Sequence, residues 1–244
     1  MGNILAYPLT AIYYLAFGSC LLFFHAMQWL CFYGLGYAAH KKSVDLLNGT
    51  LLLCLGILGT RVRFDQPHQL NRDQPYIIVC NHQSLYDIPP LIWFLRKIHP
   101  KFISKKELGK GIPSVSFNLR HGGSVLIDRK KPKEALAAIE EFSQSLKKTK
   151  NSTIIFPEGT RSNSATPKRF QQGGITTLFE NLPEAMVLPV SISHSWKLMR
   201  WGNFPMGVGV HMKYKVHQPI PIQGTVPSEL VALVEQQVVG GVEP

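Results

Sequence analysis

Tyr76-Ile77-Ile78-Val79-Cys80-Asn81-His82-Gln83-Ser84-Leu85-Tyr86-Asp87 opens on an apolar run rich in β-branched residues and ends in a histidine, a polar turn and an acid. An apolar run of this length, with no alternation, reads as a strand buried on both faces, which belongs to an α/β layer structure. Such a strand delivers His82 to its carboxyl end, where open α/β sheets carry their sites. An imidazole of ordinary pKa, about 6.5, is the usual proton acceptor near neutrality. A carboxylate at Asp87 can hold one ring nitrogen while the other faces a substrate hydroxyl. The same residues also read as a helix start, with Ser84 as cap and Asp87 at the third helical position. The two readings are compatible.

Outward from this stretch, β-rich runs alternate with helical patterns, which predicts an α/β fold with a mostly parallel or mixed sheet flanked by helices. Further strands are expected at Lys101 to Ser104, Ser124 to Asp128, Ser152 to Phe156, Met186 to Ile192 and Val208 to Val216. The clearest helix runs from Pro132 to Lys148, where Ala135, Leu136, Ile139, Phe142 and Leu146 share a face. A last helix is expected from Ser228, as cap, to Val239.

The front of the chain differs in kind. Residues 1 to 40 contain no Asp, Glu, Lys or Arg, so the formal charge of +11 falls entirely on the rest. The stretch from Ile4 to Tyr37 is apolar and aromatic, and a spanning helix needs about 20 such residues. It lacks the basic start of a cleaved signal. Lys41 and Lys42 follow, which puts that end on the cytoplasmic face if the segment spans. A second apolar run, Val44 to Thr60, reads as a helix lying in the interface, with a hairpin packed as ordinary core as the alternative. The expected organisation is therefore a membrane-associated two-helix element at 1–60 and a catalytic domain at 61–244. The four cysteines follow neither a disulfide framework nor a zinc pattern, and no metal or permanently bound cofactor is expected.

Phe156-Pro157-Glu158-Gly159-Thr160-Arg161-Ser162 again follows an apolar strand. Gly159 permits a tight turn, backbone amides can face an anion, and Arg161 offers a planar fork for phosphate. Taken alone, the block is better read as a surface loop with a local ion pair. Gly123 to Arg129 and the lysines Lys105 and Lys106 repeat the scheme of a strand followed by cations. Convergence of such cations on one rim suits a phosphate-bearing substrate.

Together these blocks resemble the 1-acyl-sn-glycerol-3-phosphate acyltransferases. Asn81 to Asp87 is similar to the family's histidine–aspartate signature, Gly123 to Arg129 to its second block, Phe156 to Ser162 to its third, and Val187-Leu188-Pro189-Val190 to its fourth. The resemblance implies that His82, oriented by Asp87, deprotonates the 2-hydroxyl of lysophosphatidic acid, which attacks an acyl thioester of coenzyme A or acyl carrier protein. It also implies that Lys105, Arg129, Glu158, Gly159, Thr160 and Arg161 bind the glycerophosphate, at the membrane and without nucleic acid as a partner. Pro189 in a strand implies an edge or a bulge. Gln171 and Gln172 depart from the family, which often has lysine here. His194 to Phe204, mixing cations with large apolar side chains, reads as an interfacial loop, a lid or core. Another lyso-lipid acceptor, a non-catalytic binder of anionic lipid or nucleic acid, and a metal hydrolase using His82, Asp87 and His121 are the competing readings.

Overall fold

The computed structural model describes residues 4–244. Its centre is the strand read first. β2 (Tyr76–Cys80) is buried along its whole length, and its side chains alternate between two layers. Ile78 and Cys80 join a core with Leu55, Leu91 and Tyr214, whereas Ile77 and Val79 join one with Ile139, Phe142 and Val234. Each fully buried Ile or Val contributes roughly 1.5–3 kcal/mol.

Beside β2 lie β6 (Met186–Ser193) and β5 (Thr153–Ile155), both parallel to it. Beyond β5 come β3 (Lys101–Lys105) and then β4 (Val125–Ile127), parallel again. Beyond β6 the antiparallel β7 (His211–Val216) carries β1 (Arg61–Asp65), giving the order β1-β7-β6-β2-β5-β3-β4, while the short β8 (Ile220–Pro221) pairs β6. The sheet is mixed, as expected. The registers place the carboxyl ends of β2, β3, β4, β5 and β6 on one edge.

α5 (Pro132–Thr149), α6 (Gln172–Asn181) and α7 (Pro227–Gly240) cover one face. α5 buries Ala135, Ile139, Phe142 and Leu146 as its periodicity predicts, but Leu136 is 37% exposed. α7 starts at Pro227, so Ser228 lies within the first turn and makes no cap bond. The fixed φ of proline suits that first helical position.

The other face carries α3 (Ile88–Phe94), α4 (Val115–His121) and the two amino-terminal helices. α1 (Ala6–Leu30) runs on through a π turn, Cys31–Leu35, and Gly36 with φ +85° turns the chain into α2 (Tyr37–Leu55). Only glycine adopts that φ without strain. The second helix thus begins before the expected Val44 and includes Lys41, which pairs with Asp45 and donates to Arg96 O at 2.8 Å. Gly49 lets α2 approach Trp93, whose ring atoms would lie 2.7 Å from an added Cβ. Residues on both sides of the expected boundary at Arg61 share one core, for example Tyr13 and Leu55 with Tyr86 and Leu91. The outer side of the hairpin is different: Ile12, Leu15, Leu22, Phe23, Trp29, Leu30 and Leu53 are each at least 52% exposed.

Pro189 is not at an edge, since β6 is paired on both sides. It stands where the antiparallel partner of β6 changes from β8, paired at Val187, to β7, paired from Val190. A missing N–H is tolerated in that gap.

At the amino end of the parallel strands, Lys101 is 6% exposed, with its Nζ donating to Tyr37 Oη and to His99 Nε2 at 2.8 Å. Burial, and then the charge on Lys41, lowers its pKa from the ordinary 10.5 to about 7. Above about 7 the unfolded chain binds a proton that the folded chain lacks, so this group makes stability rise with pH up to the ordinary lysine pKa. Lys101→Met is expected to remove that component of the slope. Denaturant unfolding of both proteins at pH 7 and pH 9 checks this, and an identical slope in the two counts against it.

Candidate active site

His82 follows β2 by two residues and is held from every side. Asn81 extends the β2–β6 ladder with its side chain, donating to Ile192 O at 2.9 Å and accepting from Ile192 N at 2.7 Å. The His82 amide donates to Glu158 Oε1 at 2.7 Å, and its carbonyl accepts from Ser162 N at 2.8 Å. Phe156 stacks on the imidazole with centroids 4.2 Å apart. The loop after β5 therefore positions the backbone and ring of a residue from β2.

Asp87 is fully buried, and its Oδ2 lies 2.8 Å from His82 Nδ1. The same oxygen accepts from Gln83 N at 2.8 Å and Ser84 N at 3.0 Å, while Ser84 Oγ accepts from Tyr86 N at 3.1 Å. One carboxylate thus makes both the helix-start contacts and the contact to the histidine ring. Because a carboxylate only accepts, the network assigns the proton to Nδ1 and leaves a lone pair on Nε2. The His82 side chain is 17% exposed. This arrangement can take a proton from a group arriving at the carboxyl edge.

The other expected site residues lie at the strand ends of the same edge. Lys105 is the exposed last residue of β3, and Thr160 is exposed in the loop after β5. Arg129, just past β4, donates from Nη1 to Gly159 O, so it bridges the loops after β4 and β5. Arg161 is half-buried, and its carbonyl accepts from Lys168 Nζ at 2.8 Å. Gly159 has φ +72°, and an added Cβ would lie 2.9 Å from the amide of Gln171. The loop thus needs glycine for its conformation, whereas the Gln171 side-chain amide, at the end of a flexible side chain, could move aside.

Glu158, expected to bind the glycerophosphate, is engaged by the protein's own backbone. It is 2% exposed, and its two oxygens accept from the amides of His82 and, at 2.9 Å, Lys168. Burial raises its pKa, while these amides and the nearby His82 and Lys168 lower it in part. Its carboxylate ties the loop to the histidine. His121 is apart from the dyad, tilted against Phe32 and Phe117 at 4.8 and 4.5 Å.

The sequence model of the family described as Acyltransferase matches residues 61–193, from β1 to the end of β6. The chain belongs to the acyltransferase family. Similar curated proteins include the 1-acyl-sn-glycerol-3-phosphate acyltransferase alpha of Ovis aries, 26% identical over 80% of this chain and 66% of that protein. The protein of the same name from Homo sapiens is 24% identical over 80% of this chain and 67% of its own length. The chain thus spans about two thirds of the length of these relatives. Among solved structures, the 1-acyl-sn-glycerophosphate acyltransferase PlsC of Thermotoga maritima superposes with a TM-score of 0.75 at 26% identity, covering 96% of this chain and 93% of that one. The resemblance read from the four sequence blocks holds.

One residue of this candidate site was not legible beforehand. Ser195, fully buried just after β6, donates from Oγ to Asp87 Oδ1, and its amide donates to Gln83 Oε1 at 3.1 Å. It lies 108 residues from Asp87 in a segment read for its aromatics and cations, and no spacing rule links the two. Removing its hydroxyl leaves a buried carboxylate oxygen without a donor, which makes the carboxylate a stronger partner for a charged imidazole. Ser195→Ala is expected to lower kcat roughly tenfold, the scale of one hydrogen bond to a charged group, and to move the acid limb of the pH–rate profile to higher pH. Ser195→Thr is expected to restore both. An unmoved limb in Ser195→Ala would make the serine a packing residue only.

Proposed function

We propose that the chain transfers an acyl group from an acyl thioester, of coenzyme A or acyl carrier protein, to the 2-hydroxyl of 1-acyl-sn-glycerol-3-phosphate, giving phosphatidic acid. The observation that carries this reading is a buried histidine–carboxylate dyad on the same sheet edge as Lys105, Arg129 and Arg161. The names of the similar proteins point the same way. His82 Nε2 takes the hydroxyl proton as the oxygen attacks the thioester carbonyl. The tetrahedral intermediate then breaks its carbon–sulfur bond, and the proton on His82 passes to the leaving sulfur. Backbone amides near the dyad stabilise the oxyanion. No Ser or Cys acyl-enzyme is needed.

In this reading Lys105, Arg129 and Arg161 grip the phosphate, the turn at Gly159 and Thr160 lets the headgroup approach, and Glu158 acts through the loop it ties. The exposed apolar side of the α1–α2 hairpin keeps the chain on the membrane, with the site on the cytoplasmic face. α1 with its π turn is long and apolar enough to cross a bilayer.

Acceptor choice is tested by offering lysophosphatidic acid, lysophosphatidylglycerol and monoacylglycerol in matched micelles. Preference for lysophosphatidic acid is expected. Equal use of monoacylglycerol would remove the phosphate from the account.

A further inference from the structure

The sheet edge that carries His82 has a second cationic region, on the other side of the histidine from Lys105, Arg129 and Arg161. β6 lies beside β2 on the side away from β5, and the antiparallel β7 starts where β6 ends. Between the loop after β6 and the start of β7 is a groove lined by His194, Lys197, Arg200, His211 and Lys213. We infer that this groove takes the phosphates of a coenzyme A thioester. The inference rests on the acyl-transfer reading, which brings two phosphate-bearing substrates to one histidine.

Charge supports it. No Asp or Glu side chain is among the groove's lining residues, but Glu243 and Pro244 reach two of them: Lys213 pairs with Glu243 at 2.6 Å and His194 Nε2 lies 2.8 Å from Pro244 O, whereas among the described residues Lys197 and Arg200 have no carboxylate partner. Instead they lie over the rings of Trp196 and Trp201, at 5.7 and 4.0 Å from the centroids. Several cations in one groove suit a ligand with several phosphates better than the single phosphodiester of a carrier-protein arm.

Geometry supports it as well. The groove wall begins at His194, one residue before the serine that holds Asp87, and His194 Nδ1 lies 3.1 Å from His211 O, joining the loop to β7. At about 4.8 Å per strand, β7 is roughly 10 Å from β2, within reach of a pantetheine arm. The loop tip does not line the groove: Asn203 O accepts from Tyr14 Oη at 2.6 Å, and Phe204 packs on Tyr7 with centroids 5.6 Å apart. The tip is therefore pinned to α1 while the cations face β7.

The test is direct binding of desulfo-coenzyme A, which lacks the thiol, to the full chain in neutral detergent. The Lys197→Gln/Arg200→Gln variant is expected to bind about tenfold more weakly or worse, the scale of one or two charged hydrogen bonds. Lys105→Gln is expected to bind as the wild type does while its KM for the acceptor rises. Turnover of an acyl-N-acetylcysteamine donor, which has no phosphate, should be equal in wild type and double variant, which also shows that the variant is folded. Equal affinity of wild type and double variant, no binding by the wild type, or loss of binding only to anionic-lipid vesicles would each overturn the inference. Binding through these cations by a wild type that acylates no lysophosphatidic acid would instead overturn the acceptor reading and leave the groove assignment standing.

Discussion

His82→Ala is expected to lower kcat by about 10²–10⁴, the usual contribution of a positioned general base, with both KM values changed only a few-fold. The split follows from geometry. The imidazole meets the reacting hydroxyl, whereas the proposed phosphate contacts are at other strand ends. The variant should also stay folded, because Glu158 and Ser162 hold the backbone of residue 82 and not its ring. The stacking on Phe156 is lost, at about 0.5–1.5 kcal/mol. Steady-state kinetics with thermal unfolding on the same preparations checks both halves. A rise in KM at constant kcat would make His82 a binding residue.

Replacing Asp87 separates orientation from charge. In Asp87→Asn the remaining oxygen can accept from Gln83 N, Ser84 N and His82 Nδ1, and the new amide can donate to Ser195 Oγ. The tautomer that leaves Nε2 free is therefore retained, and what disappears is the negative charge that stabilises the imidazolium. We expect kcat to fall by about 10²–10³, less than the 10⁴ lost where the corresponding change in a serine protease traps the wrong tautomer. Asp87→Ala loses the orientation and the helix cap too, and should also unfold about 1–3 kcal/mol more easily, because buried donors are left unpaired. Equal stability of Asp87→Ala and wild type would contradict the capping role.

How much of this was legible in the sequence depends on distance along the chain. β2 and α5 announce themselves because an unbroken apolar run and a helical repeat are local signals, and their observed limits fall within a residue of the expected ones. The capping box at Ser84 and Asp87 is local too. The second amino-terminal helix was placed too late because hydropathy marks apolar residues, and the first turns of that helix carry His40, Lys41 and Lys42. The bend itself, at Gly36, is one residue from the expected end of the first apolar stretch. Pro189 implied an edge or a bulge, and no local pattern reveals that β6 instead changes partners beside it. The Ser195 contact to Asp87 and the Glu158 contact to the His82 amide join residues 108 and 76 positions apart, although the second Glu158 oxygen meets Lys168 only 10 residues on. Only the folded sheet brings those residues together.

The most direct test follows a labelled acyl group. Purified protein in neutral micelles is given acyl-labelled coenzyme A with 1-acyl-sn-glycerol-3-phosphate, with either substrate omitted in turn, and the same is done with His82→Ala. The account predicts label at the 2-position of phosphatidic acid only when wild-type protein and both substrates are present, with none retained on the protein. Label bound covalently to the protein, or phosphatidic acid formed by His82→Ala at the wild-type rate, would contradict it.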